Sequence, residues 1–200
     1  VTWIKGEEGS TVSIEVYRPS EDKYLTFEVE RKTIEIPMVT SKMLDNNIGY
    51  VAVYEFEETT SEQFNQAIDE LTAQGMKGLI IDLRDNPGGL VNSATAILDR
   101  ILSKDQLLVY TVDKNGKKQE EYTEDDETIN VPISVLINGN SASASEIVSG
   151  CLQDYGKAKL VGTTSFGKGI VQYVLPLGDG SAIKLTSAKY YTPNGRNIHG

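Results

Sequence analysis

One repeated pattern constrains the fold of this 200-residue chain most strongly: an apolar run, then a loop of small residues, then a segment with helical apolar spacing. Residues 78–83 form one nearly continuous apolar run and residues 131–138 form another, as is typical of strands that are covered on both faces. Helical apolar spacing follows over residues 90–102 and again over residues 143–155. This alternation predicts an α/β fold with a mostly parallel, layered sheet and flanking helices.

The first part of the chain follows a different pattern. Residues 11–18 and 24–31 alternate apolar and polar side chains around a short polar segment, which predicts a β-hairpin with one buried face. We therefore divide the chain into a hairpin segment at 1–34, an extended linker at 35–47 and an α/β core at 48–200. Because no initiator methionine or signal-like segment opens the sequence, we expect the chain to be a piece of a longer protein.

Composition excludes several classes of function. Asp and Glu outnumber Lys and Arg by 29 to 19, for a formal net charge of -10, so the surface repels nucleic acids. No apolar run approaches the ~20 residues needed to cross a bilayer. One cysteine, Cys151, and one histidine, His199, exclude an internal disulfide framework and a Cys-rich zinc site, and they make a multi-His metal site unexpected. Because His199 is the penultimate residue, a Ser-His-Asp arrangement is not expected, and Cys151 is expected to be a small buried hydrophobe.

Loops that follow the apolar strands are the candidates for chemistry, because sites in α/β sheets gather at the carboxyl ends of strands. The first loop, residues 82–89, ends in two glycines whose backbone N–H groups could approach a ligand; a tight turn is the alternative. The second loop has three alternating serines at a helix start: Ser141, Ser143 and Ser145. Such a hydroxyl can act as a nucleophile beside an N–H that stabilises an oxyanion, although helix-capping serines are common.

The third loop contains Lys168 between two glycines, next to an apolar strand. A lysine that loses hydration against apolar surroundings can act as a neutral general base, whereas most loop lysines are simply solvated. Gln172 has the same strand parity as Lys168, so its amide could orient the amine. Since no histidine is usable, a Ser-Lys pair is the simplest acyl-transfer machinery that the sequence allows.

In their order and spacing, the three loops resemble the carboxy-terminal processing peptidases, also called tail-specific proteases. The matching stretches are residues 79–90, 135–147 and 162–172, and residues 190–200 resemble the strand and turn that follow the site. Residues 1–31 resemble the last hairpin of the PDZ domain that precedes this protease core. The resemblance implies a ClpP/crotonase-like core that is truncated before the family's closing segment.

Carried over position by position, the resemblance implies a role for each of several residues. Ser143 would be the nucleophile, Lys168 the general base and Gln172 the residue that orients the lysine. The oxyanion hole would be formed by the N–H groups of Gly88 and Ala144, with Gly89 as the alternative to Gly88.

The resemblance also implies an activity and a setting. It implies a serine endopeptidase that cleaves proteins and peptides near apolar carboxyl-terminal tails, without a metal or cofactor, outside the cytoplasm or at the cell envelope. It further implies homo-oligomerisation through regions beyond this chain, and weak activity for this piece alone. The competing hypothesis is a non-catalytic scaffold that binds peptides or apolar ligands. A weaker third hypothesis makes residues 86–89 an oxyanion loop for thioester chemistry.

Overall fold

The computed structural model describes residues 3–33, 36–126 and 128–199. Contacts within the chain divide it into two compact units, one ending at Ile36 and the other starting at Pro37. None of the described helices combines the length and the apolar content that a membrane crossing requires.

The first unit is an antiparallel hairpin of strands β1 (Thr11–Arg18) and β2 (Lys23–Glu30), which confirms the predicted pair of strands. The predicted buried face is wrong for the described part of this unit, where no residue is buried and Phe27 and Val29 are 46% and 43% exposed. The reason is that a two-stranded hairpin has no third layer to cover its apolar face. Assignment of this hairpin to the end of a PDZ domain stays a prediction.

The second unit contains the two larger sheets and the helices. In chain order its elements are β3 (Val39–Leu44), β4 (Ile48–Val53), α1 (Thr60–Ala73), β5 (Gly78–Asp82), α2 (Val91–Asp99), β6 (Leu107–Asp113), β7 (Lys118–Tyr122), β8 (Ile133–Ile137), α3 (Ala144–Asp154), β9 (Ala158–Gly162), β10 (Ile170–Pro176) and β11 (Ala182–Tyr191). One sheet has the order β3-β4-β5-β8-β9, with β3 antiparallel to β4 and the other neighbours parallel. A second sheet, β10-β11-β6-β7, is antiparallel throughout.

The fold is therefore α/β, as predicted, and three of the four strand pairs in the five-stranded sheet are parallel. The prediction of a mostly parallel sheet does not cover the second sheet, which is antiparallel because β6 pairs with β7 and β10 pairs with β11 across short turns, and such turns join only antiparallel strands. Strands β6 and β7 form a hairpin around Asn115 and Gly116, a dipeptide typical of tight hairpin turns, with the Gly116 N–H donating to the Asp113 carbonyl over 3.0 Å. The local pattern predicts this hairpin but not the sheet that it joins.

Strand β3 corrects the prediction that residues 35–47 are a linker. It pairs with β4 from Val39 to Leu44, and the Val39 side chain is buried. The reversal between the two strands is made by Asn46 and Asn47, both with left-handed backbone (φ 61° and 59°), a conformation that asparagine tolerates better than most residues. This tight reversal folds the expected connector back onto the sheet as an edge strand.

The hydrophobic core lies between the five-stranded sheet and the helices. On α1, Phe64, Ile68 and Leu71 form an apolar stripe at helical spacing and are fully buried. Burying each such side chain stabilises the fold by about 1.5–3 kcal/mol. Helix α3 is buried along most of its length and packs against α2, β6 and β9. The start of α3 is thus held firmly at the edge where β5 and β8 end.

Candidate active site

Ser143 lies at the sharp turn between β8 and α3. Its backbone has φ 55° and ψ -113°, a conformation that a residue with a side chain adopts only when its surroundings impose it. Helix α3 begins at the next residue, Ala144. This strand-turn-helix arrangement is of the kind that presents a nucleophile above the end of a sheet.

Burial separates the three serines of this loop. The Ser141 hydroxyl is buried and donates to the Leu83 carbonyl over 2.7 Å, and the buried Ser145 hydroxyl donates to the Asn86 carbonyl over 3.0 Å. Of the three, only Ser143 is partly exposed. Ser141 and Ser145 therefore tie the loop to its neighbour, and Ser143 is the one that a substrate can reach.

The turn at residues 86–89 packs directly on Ser143. A Cβ atom at Gly88 would lie 2.7 Å from the Ser143 Cβ, and Gly88 has a left-handed φ of 104°, so only glycine fits there. Buried Asn86 fixes the turn, because its side-chain amide donates to the Val53 carbonyl and its backbone carbonyl accepts from the Ala142 N–H. The first and second predicted loops thus meet as one unit.

Backbone donors near Ser143 differ in availability. The Gly88 N–H, expected in the oxyanion hole, donates to Asn86 Oδ1 over 2.9 Å and is therefore occupied. Within the described part of the chain, no acceptor is bonded to the N–H of Gly89 or of Ala144. The Gly88 carbonyl accepts from Phe56, and since the peptide is trans, the Gly89 N–H points away from Phe56.

The lysine loop, residues 163–169, lies against the serine loop. The Phe166 N–H donates to the Ser141 carbonyl over 3.0 Å. Half-buried Lys168 lines a cavity of about 390 Å³ together with residues from the other two loops, among them Pro87 and Ala142. No carboxylate of the described residues forms an ion pair with Lys168.

Gln172 does not contact Lys168 in the described hydrogen-bond network. It lies on β10, where the register with β11 shifts between Val171 and Gln172. Its side-chain amide donates to Thr186 Oγ1 over 3.3 Å. The pairing of Gln172 with Lys168 therefore stays a prediction.

A buried carboxylate that the sequence pattern does not single out joins the two loops. Glu146 Oε2 accepts from the backbone N–H groups of Ser143 (2.9 Å) and Lys168 (2.8 Å). Glu146 Oε1 accepts from the Ser165 hydroxyl and the Gly167 N–H, each over 2.7 Å. The Ser-x-x-Glu spacing of a capping box was the available signal, but it predicts only the bond within the helix.

His199 also lies nearer to this region than its place in the sequence suggests. Its Nδ1 is 3.2 Å from the Gly167 carbonyl oxygen, and its ring is exposed. Across the described residues, no group of three or more His, Cys, Asp or Glu side chains could hold a metal ion. The region therefore offers a serine, a lysine, a nearby histidine and two backbone N–H groups without an acceptor in the described part of the chain.

Two carboxylates at the end of β5, those of Asp82 and Asp85, accept hydrogen bonds from neighbouring side chains. Burial disfavours the ionised form of Asp82, but hydrogen bonds from Arg84 and Tyr50 outweigh that effect and hold the pKa of Asp82 below its ordinary value. The pKa of Asp85 is also lowered, chiefly by hydrogen bonds from the amides of Asn140 and Asn138. These carboxylates are thus engaged in holding the loop.

The chain is similar to known peptidases over most of its length. The profile described as Peptidase family S41 matches residues 47–200. The carboxy-terminal processing protease CtpB of Bacillus subtilis (strain 168) is 42% identical over 98% of this chain and 42% of its own length. A carboxy-terminal-processing protease of Bartonella bacilliformis (strain ATCC 35685 / KC583 / Herrer 020/F12,63) is 39% identical over 100% of this chain and 47% of its own length.

Solved structures of similar proteins share the fold of this chain. The photosystem II D1 C-terminal processing protease superposes with a TM-score of 0.75 at 30% identity, covering 97% of this chain and 54% of that protein. A putative S41 protease from Bacteroides fragilis NCTC 9343 shares the fold, with a TM-score of 0.70 at 19% identity over 94% of this chain and 57% of its own. The chain spans less than half the length of the two curated relatives named above.

Proposed function

Since the chain belongs to peptidase family S41, we propose that it carries the catalytic centre of a serine endopeptidase that cleaves proteins near their carboxyl termini. One observation supports the proposal above the others. The amide nitrogens of Ser143 and Lys168 bind the same carboxylate oxygen, so they lie no farther apart than the sum of 2.9 and 2.8 Å. A partly exposed serine and a lysine with no ion pair in the described chain thus share one corner of the molecule.

The reaction divides into two proton transfers around Ser143. The neutral Lys168 amine takes the hydroxyl proton as Ser143 Oγ attacks the substrate carbonyl carbon, and the carbonyl oxygen becomes an oxyanion. The lysine ammonium then returns the proton to the leaving amine as the peptide bond breaks and an acyl-enzyme remains. A water molecule then attacks the carbonyl carbon of the acyl-enzyme while Lys168 takes its proton. The lysine returns this proton to Ser143 Oγ, which releases the new carboxyl terminus and restores the serine.

Two backbone donors stabilise the oxyanion in this proposal. Ala144 provides one N–H at the start of α3, where the helix dipole also favours negative charge. Gly89 is favoured for the second because Asn86 already occupies the Gly88 N–H. Gly88 would serve as donor only if that bond were exchanged for one to the substrate.

Gln172 keeps its role as the residue that orients Lys168. Its bond to Thr186 Oγ1 is long, at 3.3 Å, and uses only the amide nitrogen. The amide oxygen is thus left to accept from the lysine ammonium.

An apolar substrate tail is supported by a groove in the second sheet. The groove has a volume of about 730 Å³ and is lined by charged residues as well as by four large, mostly apolar side chains: Val171, Tyr173, Leu175 and Leu185. Strand β10, which supplies three of these side chains, begins two residues after Lys168. Action outside the cytoplasm and assembly into oligomers stay predictions.

The alternative is a binding scaffold without catalysis, and a chemical variant of the first proposal would use His199 as the base. The scaffold hypothesis gives no reason for a partly exposed serine on a strained turn beside a lysine. His199 approaches the lysine loop through a carbonyl oxygen of Gly167. Both alternatives are decided by the same set of variants.

The test is cleavage of an unfolded protein with an apolar carboxyl-terminal tail by the complete protein. Ser143→Ala and Lys168→Ala should each lower kcat by about a thousandfold or more, because each removes a group that the transition state needs. The matched control, His199→Gln, should keep activity within about threefold. A serine-reactive phosphonate should label Ser143 in the wild type and not in Ser143→Ala.

Retention of most activity by Lys168→Ala would overturn the lysine mechanism. If activity were lost in His199→Gln instead, histidine would be the base. Absence of both cleavage and labelling in the wild-type complete protein would favour the binding scaffold.

A further inference from the structure

Four donors converge on a carboxylate that the proposed reaction does not consume. Glu146 is only 3% exposed, and each of its oxygens accepts two hydrogen bonds, one pair from Ser143 and Lys168 and the other from Ser165 and Gly167. All four donors are neutral, and no described cation forms an ion pair with Glu146. The carboxylate is therefore stabilised entirely by groups of the two loops that it joins.

We propose that Glu146 is a positioning residue that fixes the lysine loop against the nucleophile turn, and so sets how closely the Lys168 amine approaches Ser143 Oγ. This inference rests on the proposed function. Among the described residues, the backbone of Lys168 has no hydrogen bond to a sheet strand, although the carbonyl of the next residue, Gly169, accepts from the Tyr190 N–H on β11. The Lys168 N–H is bonded to Glu146 Oε2, which also holds the Ser143 N–H.

An ionised carboxylate suits this position better than any other side chain. It offers acceptors at both oxygens and no donor, which matches four converging donors. A glutamine in its place would have one oxygen and one NH₂ group. The NH₂ group would face the N–H groups of Ser143 and Lys168 in one orientation, and the Gly167 N–H in the other. In either orientation at least one backbone N–H would face another donor, and the loops would separate.

Shortening the side chain should have a similar effect. Glu146 reaches both loops from the first turn of α3, so an aspartate, one methylene shorter, could satisfy one loop only. The geometric role thus depends on both the length and the charge of the side chain.

The chain contains a matched control on another helix. Glu62 is the third residue of α1, as Glu146 is the third residue of α3, but Glu62 is exposed and has no hydrogen bond to a distant loop among the described residues. A Glu62→Gln change removes the same charge near a helix start without touching the site.

The experiment measures kcat, KM, phosphonate labelling rate and melting temperature for the complete protein and its variants. Glu146→Gln and Glu146→Asp should lower kcat and the labelling rate by about ten- to a thousandfold with KM within about threefold, while Glu62→Gln stays at wild-type values. A purely structural role would instead lower the folded fraction and leave kcat per folded molecule unchanged. Wild-type kcat in folded Glu146→Gln would overturn the proposal.

A second variant decides the case if Glu146→Gln does not fold. Ser165→Ala removes one donor and leaves the other three, and it should lower kcat at least about threefold without changing KM; wild-type kcat in this variant would overturn the inference. Ser143→Ala and Lys168→Ala are measured alongside. If they lack activity while Glu146 variants are normal, only the positioning role fails; if they retain activity, the proposed function itself fails.

Discussion

Cys151 is a thiol that its surroundings keep in the neutral form. Its side chain is fully buried on α3, as expected of a small hydrophobe. Burial, assisted by the nearby charge of Asp154, raises the pKa of Cys151 to about 12. Because the thiolate is the reactive species, the native residue is chemically inert near neutral pH.

We expect iodoacetamide to leave Cys151 unmodified in the native chain at about pH 8 and to modify it rapidly after unfolding. The pKa is raised from an ordinary 9.0, so this residue's contribution to stability is full below that pH and is lost as the pH rises toward 12. Denaturant titrations at about pH 7.5 and 10.5 should therefore show a smaller alkaline loss in Cys151→Ala than in the wild type. Fast alkylation of the native chain would contradict this account.

Backbone surroundings, rather than side-chain chemistry, distinguish Ser143 from its two serine neighbours. Spacing predicts a serine at a helix start but cannot choose among three identical side chains. The choice depends on the bonds of Ser141 and Ser145 to carbonyls 58 and 59 residues away in the chain. For the same reason, the occupied N–H of Gly88 could not be foreseen from a pair of adjacent glycines.

The turn at residues 86–89 shows how a short element gains its shape from what it packs against. Its sequence predicts a close backbone approach, and the structure confirms that Gly88 contacts the start of α3. A Cβ at Gly88 would approach the Ala142 carbonyl to 2.7 Å and the Ala144 nitrogen to 3.0 Å. Both atoms belong to the backbone, which cannot move aside as a flexible side chain can.

Gly88→Ala and Gly116→Ala form a matched pair for this turn. Both glycines have left-handed φ (104° and 80°), but a Cβ at Gly116 would meet no atom within 4 Å. Gly116→Ala should therefore cost about 1–2 kcal/mol of unfolding free energy and leave activity intact. Gly88→Ala should cost about 1–3 kcal/mol more and lower kcat at least about tenfold.

Equal unfolding free energies for the two variants, measured by denaturant titration, would show that the contact with Ser143 is not tight. Loss of activity in Gly116→Ala would show that the pair is not a valid comparison.

Elements with a strong local pattern are predicted well, and their partners are not. Alternation and apolar runs predict the hairpin of β1 and β2 and the helix α3 close to their observed bounds. Strand β3 is missed because its pairing depends on a reversal through two asparagines. The antiparallel sheet is missed because pairing of β11 with β6 joins segments far apart in the chain, which no local pattern records.

At the scale of the whole molecule, all of the buried hydrophobic side chains of the described chain belong to the second unit, starting from Val39. The first unit contributes none. A two-stranded hairpin without a covered face is marginally stable in water, whereas the second unit contains a continuous core between a sheet and three helices.

Residues 37–200 should consequently fold without the first 36 residues. We expect the melting temperature of this piece to lie within about 3 °C of that of the full 200 residues, because it contains every buried hydrophobic residue of the described chain. Circular dichroism of a synthetic peptide of residues 1–36 should show little strand content. A drop of more than about 10 °C on truncation would mean that the hairpin stabilises the core directly.

Strand β11 pairs with β6 only from Ala188 to Tyr191, so the distal part of the β10–β11 ribbon is two strands wide. Val174 and Leu175 project from opposite faces of that ribbon and are 62% and 48% exposed. In the described chain no strand covers the outer edge of β10. An uncovered strand edge with exposed apolar side chains can pair with other molecules while the protein is still folded. We therefore expect self-association at high protein concentration or high salt, and retention on phenyl resins, under conditions where the protein has not unfolded.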